Sequence, residues 1–446
     1  MGETTELRRE LGGGLVLRRA TAADIEAVAT FNSRMHRWSP TLPLPERFAD
    51  WTRDLLGGAH PTAAPRDFTV VEDTATGAIV STMGLIAQVW SYGGVPIAVA
   101  RPELVGTEPA YRRRGLVRAQ LAVVHDWAAA RGALALGITG IPWYYRQFGY
   151  EMTLALDGGR AGYAPQIPAL APGAAEPFAL RPATEADLPF VCRTYDDGMR
   201  RYAVAALRTE EQWRYELAGR RPTSLQSRAL RVITDATGAA VGVLIHWPFL
   251  NEGGVFVVES CELRPGLPWT AVLPSVLRYT RDTAARYAER DAVPALASYL
   301  FLLGTRHPLY AATPQWLPQE RRPYAWYLRV PDLPRFIRAV APTLERRLAD
   351  SPLAGYSGER RISFYRDGLR LAFAGGRLVA AAPWRPTDAE EGDCAFPDLT
   401  FLHLLFGHRS LAEVRHLFAD CWADDEAAAL LDALFPPGPA DVWGLA

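Results

Sequence analysis

Residues 112–117 read RRRGLV and combine three arginines with one glycine at the start of a predicted helix. An apolar stretch ending at Thr107 precedes them, so the pattern predicts a strand, a turn and a helix. Backbone N–H groups at a helix N-terminus are unpaired and carry positive dipole character. Gly115 permits close backbone approach, and arginine pairs with phosphate oxygens. The segment therefore predicts a pyrophosphate site, with a solvated basic turn as the alternative.

A second candidate is the aromatic loop at residues 138–151, ITGIPWYYRQFGYE, which follows the next predicted strand. For Phe148 and Tyr150 we expect packing in the core. Tyr145 is a candidate acid, because a phenol stays protonated at neutral pH and can donate a proton to a leaving thiolate. The loop therefore predicts acid catalysis beside a phosphate-bearing ligand.

The other reactive residue types form no catalytic pattern. The eight histidines and four cysteines lack metal-ligand spacing, and there is no G-x-S-x-G elbow, so we expect no metal cofactor. Cysteines that are far apart and form no C-x-x-C pair fit a reducing cytoplasm. His36 is expected to be packed or solvated, with a role in positioning a substrate as the alternative.

A sheet and a helix must position these residues. Apolar runs separated near Gly77 and at Gly93-Gly94 predict an antiparallel meander before the arginine-rich turn. The helix is predicted at 116–131, with Gly132 as its stop signal. The predicted strands around it are 68–72, 79–90, 95–99, 103–107 and 134–139.

An internal repeat organises the chain. Residues 15–25, LVLRRATAADI, are similar to residues 178–188, FALRPATEADL, and each predicts a strand, a threonine N-cap and an amphipathic helix. Later elements follow in the same order after both copies, which predicts a duplicated domain. Where the first copy has its arginine-rich turn, the second reads RPGLPW at 264–269. Its prolines lack the N–H groups that would bind phosphate, so we predict a structural role for this copy.

The predicted fold class is α+β, with two tandem mixed-sheet domains and a C-terminal α+β domain. A segment rich in Gly, Pro and Ala between the two copies predicts a linker. The predicted division is 1–157 for the first domain, 158–177 for the linker, 178–323 for the second domain and 324–446 for the third.

Composition limits the functional classes. The chain has 446 residues and a formal net charge of -1, which predicts two or three domains and gives no reason to expect binding to nucleic acid or a membrane surface. The N-terminus lacks the apolar core of a signal peptide, and no apolar run approaches a membrane span. These features also fit a cytoplasmic protein.

Residues 103–151 resemble the GCN5-related N-acetyltransferases, whose hallmark is Arg/Gln-x-x-Gly-x-Gly/Ala after a central strand. In this chain Arg112 and Gly115 occupy the Arg/Gln and Gly positions of the motif, and Val117 stands where the motif has Gly or Ala. The RRRGL and YYRQFGY motifs, the tandem copy and the C-terminal unit are similar to the enhanced-intracellular-survival branch over nearly the whole chain. The resemblance implies an active first domain, a second domain without a cofactor site, and a sterol-carrier-protein-like third domain.

The resemblance also implies acetyl-CoA as co-substrate and a set of site residues. It matches Tyr145 to a general acid and the terminal carboxylate, here of Ala446, to a base. A water-relayed base, or a neutral amine that needs none, are the alternatives. The residues it assigns to acetyl-CoA are Val105, Gly106, Thr107, Arg113, Arg114, Gly115, Leu116, Val117, Arg118, Gly140 and Ile141.

The predicted function is therefore an acetyl-CoA-dependent N-acetyltransferase in which a neutral amine attacks the thioester directly. Aminoglycosides, polyamines and lysine-type or small amines are all candidate acceptors, and the resemblance implies a homo-oligomer, a trimer or a hexamer. The alternative is a non-catalytic protein that binds CoA and uses its C-terminal unit to carry an apolar molecule or a partner. Val117 and the chain's last residues, VWGLA, motivate that alternative.

Overall fold

The computed structural model describes residues 7–36, 46–251, 253–388 and 391–442, which form three mixed sheets with flanking helices. The α+β fold class predicted from the sequence is confirmed. The strands are β1 (Arg8–Gly12), β2 (Leu15–Arg19), β3 (Phe68–Asp73), β4 (Ala78–Tyr92), β5 (Val95–Thr107), β6 (Ala135–Ile138), β7 (Glu151–Leu156), β8 (Gly159–Tyr163), β9 (Phe178–Pro182), β10 (Val204–Leu207), β11 (Ala229–Asp235), β12 (Ala240–His246), β13 (Val255–Leu263), β14 (Ser298–Phe301), β15 (Gln319–Arg321), β16 (Tyr324–Arg329), β17 (Gly358–Ser363), β18 (Gly368–Ala374), β19 (Arg377–Trp384), β20 (Cys394–Ala395), β21 (Trp422–Ala423) and β22 (Ala440–Asp441).

The helices pack on these sheets. The long helix after the arginine-rich turn begins and ends within one residue of its predicted bounds. The α-helices are α1 (Ile25–Met35), α2 (Glu46–Leu56), α3 (Leu116–Ala130), α4 (Leu188–Met199), α5 (Glu210–Arg214), α6 (Trp269–Asp291), α7 (Pro308–Ala312), α8 (Leu333–Ala339), α9 (Ala341–Ala349), α10 (Phe401–Leu405), α11 (Leu411–Leu417) and α12 (Asp425–Leu434).

The first sheet runs in the order β1-β2-β3-β4-β5-β6-β16-β7, and β10 also pairs with β4. Strands β2 to β5 form the predicted antiparallel meander. The two strands predicted at 95–99 and 103–107 are one strand, β5, which pairs with β4 along most of its length. Gly93 and Gly94 have positive φ in the tight β4–β5 turn. The parallel neighbour β6 follows after α3.

The second sheet, β15-β8-β14-β13-β12-β11-β9, repeats this connectivity. Its antiparallel strands β9, β11, β12 and β13 correspond to β2–β5, and β13 also has a parallel neighbour, β14. The repeated segments have matching contacts at the helix start. Arg18 forms a bidentate ion pair with Asp24 at 2.8 Å, and Arg181 does so with Asp187 at 2.7 Å. Each aspartate also accepts the backbone N–H of the preceding threonine in a capping box.

Two strands cross the predicted boundaries. Strand β8 follows β7 along the chain but pairs with β14 in the second sheet, and β16 follows β15 but lies between β6 and β7 in the first. The predicted linker at 158–177 therefore contains a strand, and only its later part, 169–177, is an exposed connection. The unit predicted from 324 likewise begins with a strand of the first sheet. The Gly- and Pro-rich composition indicates a linker but does not show that a segment pairs with a strand far away in the sequence. This explains why the predicted boundaries differ from the observed strands.

The C-terminal unit has a five-stranded sheet, β19-β18-β17-β20-β21, covered by α8 to α12. The predicted helix over 333–348 is divided at Val340 into α8 and α9, and Phe336, Ile337, Leu344 and Leu348 of its apolar face are buried. These side chains share one core with residues of the first sheet, such as Trp90 and Trp326. The C-terminal unit is therefore packed directly on the sheet that holds the arginine-rich turn.

Candidate active site

Strands β5 and β6 separate and open a cleft. They pair in parallel only at Val99 with Ala135 and at Ala100 with Leu136, although β5 continues to Thr107. Leu104 has a φ of 52°, and the β4–β5 register shifts in the adjoining residues. A bulge of this kind bends the strand and increases its twist, which moves the end of β5 away from β6.

The cleft has a volume of about 790 Å³. It brings together Tyr145 and all of the predicted cofactor residues except Arg114, whose guanidinium lies 4.9 Å from the Tyr111 ring centroid. Ala446 lies outside the described residues. The cleft is lined by Met35, His36, Glu103, Val105, Gly106, Thr107, Tyr111, Arg112, Arg113, Gly115, Leu116, Val117, Arg118, Ile138, Thr139, Gly140, Ile141, Tyr144, Tyr145, Gln147 and Phe148.

The arginine-rich turn forms part of the cleft wall. Arg113 and Gly115 both have left-handed backbones, with φ of 63° and 76°, and Gly115 is the N-cap of α3. The first hydrogen bond of the helix runs from the Ala119 N–H to the Gly115 carbonyl at 3.0 Å. The three N–H groups before Ala119 therefore precede the helical hydrogen bonds, as a phosphate site requires.

Exposed guanidinium groups make this part of the cleft wall positive. Arg112 Nε donates to the Thr107 carbonyl at 3.2 Å, which holds its side chain against the end of β5. Arg118 lies 4.9 Å from the Phe148 ring centroid and donates to Gln147 Oε1 at 3.3 Å. Phe148 was expected only to pack, yet it lines the cleft. Charge, loop and helix terminus together favour an anionic ligand over a solvated basic turn.

Tyr145 lines the same cleft, in a short 3-10 helix (Tyr144–Phe148). It is 3% exposed, and its ring packs edge-on against Tyr144 and Tyr327, with centroids 5.2 and 5.5 Å away. Burial, with a smaller contribution from the charge of Glu103, raises the pKa of the Tyr145 phenol. The phenol is therefore protonated at neutral pH.

Tyr150 has the structural role expected for it. It is fully buried, and its hydroxyl is 2.9 Å from His125 Nε2. Burial, followed by the charge of Arg329, lowers the pKa of His125 to about 4, so its imidazole is neutral. This pair fixes α3 against the aromatic loop.

Glu103 is a cleft residue that sequence reasoning treated only as part of a strand. Its carboxylate accepts a hydrogen bond from Arg101 Nη2 at 2.5 Å and from the Leu104 N–H at 3.2 Å. Arg101 is 2% exposed, and its guanidinium lies 4.7 Å from the Trp326 ring centroid. In the sequence, Glu103 is marked only as an acidic residue between Pro102 and the apolar pair Leu104-Val105.

His36 also lines the cleft, at the end of α1. Its ring stacks on Phe48 at 5.4 Å, and burial lowers its pKa, against a smaller opposing effect of Glu103. Within the described part of the chain, its Nε2 is buried without a hydrogen-bond partner. A neutral, packed imidazole agrees with the expectation of a packed histidine, and its place in the cleft keeps the substrate-positioning alternative open.

The corresponding region of the second sheet holds charged groups that bond one another. Glu262 forms a bidentate pair with Arg201 at 2.7 and 2.6 Å, and it lies 3.4 Å from His307 Nε2. Trp269, the first residue of α6, packs edge-on against His307 with centroids 5.0 Å apart. The helix N-cap is Pro268, which has no N–H to offer an anion.

Neither a metal cluster nor a membrane-spanning helix is present among the described residues. They contain no group of three or more His, Cys, Asp or Glu side chains arranged to hold a metal ion. Nor does any helix in the described ranges have the length and apolar character needed to cross a membrane.

Residues 16–153 match the family model described as an acetyltransferase (GNAT) domain. No curated protein matches the chain.

Solved structures similar to this chain extend the comparison to nearly its whole length. A GCN5-related N-acetyltransferase from Anabaena variabilis has a TM-score of 0.62 and 14% identity, covering 96% of this chain and 98% of its own. One from Kribbella flavida has a TM-score of 0.62 and 17% identity, covering 98% of each chain. Eis1 from Mycobacterium abscessus has a TM-score of 0.55 and 15% identity, covering 94% of this chain and 97% of its own. At these identities the likeness establishes a shared fold.

Proposed function

We propose that this protein, whose residues 16–153 form an acetyltransferase (GNAT) domain, is an acetyl-CoA-dependent N-acetyltransferase. One observation carries the proposal: the N-terminus of α3, with its arginines, and a buried, protonated tyrosine line the same cleft. Cofactor phosphates and the leaving thiolate of a bound acyl-CoA would need these two groups.

The chain's own residues suit each part of acetyl-CoA. The N–H groups at the start of α3, with Arg113 and Arg118, would bind the pyrophosphate. Because β5 and β6 separate, Val105–Thr107 of β5 and the loop residues Gly140–Ile141 after β6 line the cleft, and their backbone would pair with the pantetheine amides. Backbone donors near Gly106 would stabilise the oxyanion that develops on the thioester carbonyl.

In the proposed reaction, the amine nitrogen attacks the thioester carbon and the carbon–sulfur bond breaks. Tyr145 donates its proton to the leaving sulfur, which yields CoA as a neutral thiol. A base removes the proton from the amine nitrogen. Candidates for this base are the terminal carboxylate of Ala446, a water molecule and, from its position in the cleft, Glu103.

Further features of the proposal rest on the resemblance and on the fold neighbours. The acceptor is an amine of a small molecule or peptide, with aminoglycosides, polyamines and lysine-type amines as candidates. We extend the proposal to a cytoplasmic homo-oligomer, a trimer or a hexamer, with a sterol-carrier-protein-like C-terminal unit. The likeness to Eis1 over nearly the whole chain supports the proposed order of the three units at the level of the fold.

The proposal is tested by calorimetry with acetyl-CoA, followed by a thiol-release assay over a panel of amines. We expect binding of acetyl-CoA and amine-dependent release of CoA. Binding without release across the panel would instead favour the non-catalytic CoA-binding protein, for which Val117 in the cleft wall is the motivating observation. No binding of acetyl-CoA would exclude both functions.

A further inference from the structure

The turn just before Tyr145 has an unfavourable backbone. Trp143 has a φ of 66° and is the N-cap of the short helix that carries Tyr145. A positive φ is costly for a bulky residue and persists only where the surroundings hold it. The Trp143 and Ile141 side chains are 74% and 56% exposed, so their own burial does not hold this turn. The turn therefore needs an anchor from elsewhere.

Tyr327 provides that anchor. Its hydroxyl donates to the Ile141 carbonyl at 3.3 Å, and the backbone N–H of Trp143 lies close enough to the same phenol to affect its pKa. The Tyr327 ring is fully buried and meets the Tyr145 ring edge-on, with centroids 5.5 Å apart. One side chain thus bonds to the strained turn and also contacts the proposed acid.

Tyr327 is itself held rigidly because it lies in the middle of a sheet. It belongs to β16, the strand that reaches the first sheet from beyond the second. There it pairs with Ile138 of β6 on one side and with Met152 of β7 on the other. Ile138 is a residue of the cleft wall. A side chain on a doubly paired strand is a more precise support than one on a loop.

We propose that Tyr327 is a positioning residue that sets the place of the Tyr145 phenol through the Ile141–Trp143 turn. This inference rests on the proposed function, because it assumes that Tyr145 acts as the acid. The acid of the first domain is thus aligned by a residue encoded after the second domain. Tyr327 itself neither lines the cleft nor exchanges a proton in the reaction.

The test compares Tyr327→Phe, Tyr145→Phe and the double variant. Tyr327→Phe keeps the ring and removes only the hydroxyl, so the core remains packed; thermal unfolding verifies this. We expect kcat for thiol release to fall about fivefold to tenfold, the rate equivalent of one hydrogen bond, with KM for acetyl-CoA unchanged. In the Tyr145→Phe background the same substitution should change kcat by less than about twofold, because coupled residues are not additive.

Tyr324→Phe is the matched control. Tyr324 lies on the same strand and donates to the Gly140 carbonyl at 3.3 Å, but no ring contact joins it to Tyr145 among the described residues. Its loss should change kcat by less than about twofold, since one neutral hydrogen bond at an exposed position contributes little. An effect equal to that of Tyr327→Phe would mean that any anchor of the loop matters equally, and would overturn the inference.

Amide hydrogen exchange supplies a measurement that does not depend on activity. Tyr327→Phe should accelerate exchange of the Trp143 amide, and unchanged exchange would overturn the inference. An equal loss of kcat in both backgrounds, or a change confined to KM, would also overturn it. A wild-type protein that releases no thiol with any amine would defeat the proposed function instead, and the exchange rates would still decide whether Tyr327 holds the turn.

Discussion

Tyr145 combines a buried ring with a place in the cleft, and this decides what its substitution should do. Tyr145→Phe removes the proton donor but keeps the ring contacts with Tyr144 and Tyr327. We expect kcat to fall about 100-fold, the lower range for loss of an acid, with the Kd of acetyl-CoA within about twofold of the wild-type value. Steady-state thiol release and calorimetry measure the two quantities. An unchanged kcat would remove Tyr145 from the acid role.

The raised pKa of Tyr145 also sets the direction of the pH profile. Because burial keeps the phenol protonated, no loss of acid is expected as the pH rises towards the ordinary pKa of tyrosine, about 10. The fraction of neutral acceptor amine increases over the same range, so kcat/KM should rise with pH and then level off.

Glu103 tests the identity of the base. Glu103→Gln keeps the side-chain size and a hydrogen-bond acceptor for Arg101 but removes the negative charge. If this carboxylate takes the amine's proton, kcat/KM should fall about 10- to 100-fold near pH 7 and recover at alkaline pH, where the amine is already neutral. A pH–rate profile of both proteins measures this. If kcat/KM of Glu103→Gln runs parallel to that of the wild type and does not recover at alkaline pH, Glu103 would act only in charge pairing with Arg101.

Among individual residues, the sequence predicted those that belong to short motifs. The turn at 112–117 and Tyr145 belong to short motifs whose chemistry is visible within a few residues. The roles proposed for Glu103 and Tyr327 depend on contacts that form only in the folded chain. The contact between Tyr327 and Ile141 spans 186 residues, and no periodicity or spacing encodes it.

The turn before α3 is the element on which the proposed binding of acetyl-CoA depends. Gly115 has a φ of 76°, and an added Cβ would meet no atom within 4 Å, so Gly115→Ala would strain the backbone without a clash. The strain should lower the unfolding free energy by about 1–2 kcal/mol. It should also turn the N–H groups at the start of α3 away from the proposed pyrophosphate position. We expect the Kd of acetyl-CoA to rise about 10-fold, equivalent to about 1.4 kcal/mol, as measured by calorimetry.

The second sheet offers a control for this substitution. Gly266 precedes α6, has a φ of 92°, and equally leaves room for a Cβ. Gly266→Ala should therefore cost similar stability, measured by denaturant unfolding, and leave the Kd of acetyl-CoA unchanged. Equal weakening of binding by both variants would show that general destabilisation, rather than the turn, is responsible.

Most elements followed from sequence because their signals are local. Helix α3 has apolar residues at helical spacing and Gly132 after its end, and the β4–β5 hairpin has its glycine pair. Strands β8 and β16 differ, since each is a short segment whose partners lie in the other half of the chain. A sequence pattern shows that a segment is a strand but not which strand it pairs with. The predicted division of the chain therefore did not include the exchange of β8 and β16, in which each strand pairs within the sheet of the other half.

Across the whole molecule, buried neutral histidines should make the protein sensitive to acid. Burial is the main cause that lowers the pKa of His246 to about 3 and of His408 to about 4, as for His125. The unfolded chain, with histidine pKa values near 6.5, binds more protons below that pH. The unfolding free energy should therefore be highest above about pH 6.5 and fall as the pH drops from there towards 3.

Denaturant unfolding of His246→Gln against pH measures this contribution. The variant should have a flatter stability curve between about pH 6.5 and 3, since it lacks a group that gains a proton on unfolding. His416→Gln, at an exposed position, serves as the control and should leave the shape of the curve unchanged. An equal slope in wild type and His246→Gln would contradict the prediction.

The exchange of β8 and β16 predicts that the two halves stay together without a covalent link. The connection at 169–177 is exposed, and Gly173 lies in its turn, so a protease site inserted there can be cut in the folded protein. Separation would require β8 to leave β14 and β16 to leave both β6 and β7. The cut protein should therefore elute as one species in size-exclusion chromatography, bind acetyl-CoA as the uncut protein does, and separate only in denaturant. Fragments that part under native conditions would show that the exchanged strands do not hold the halves together.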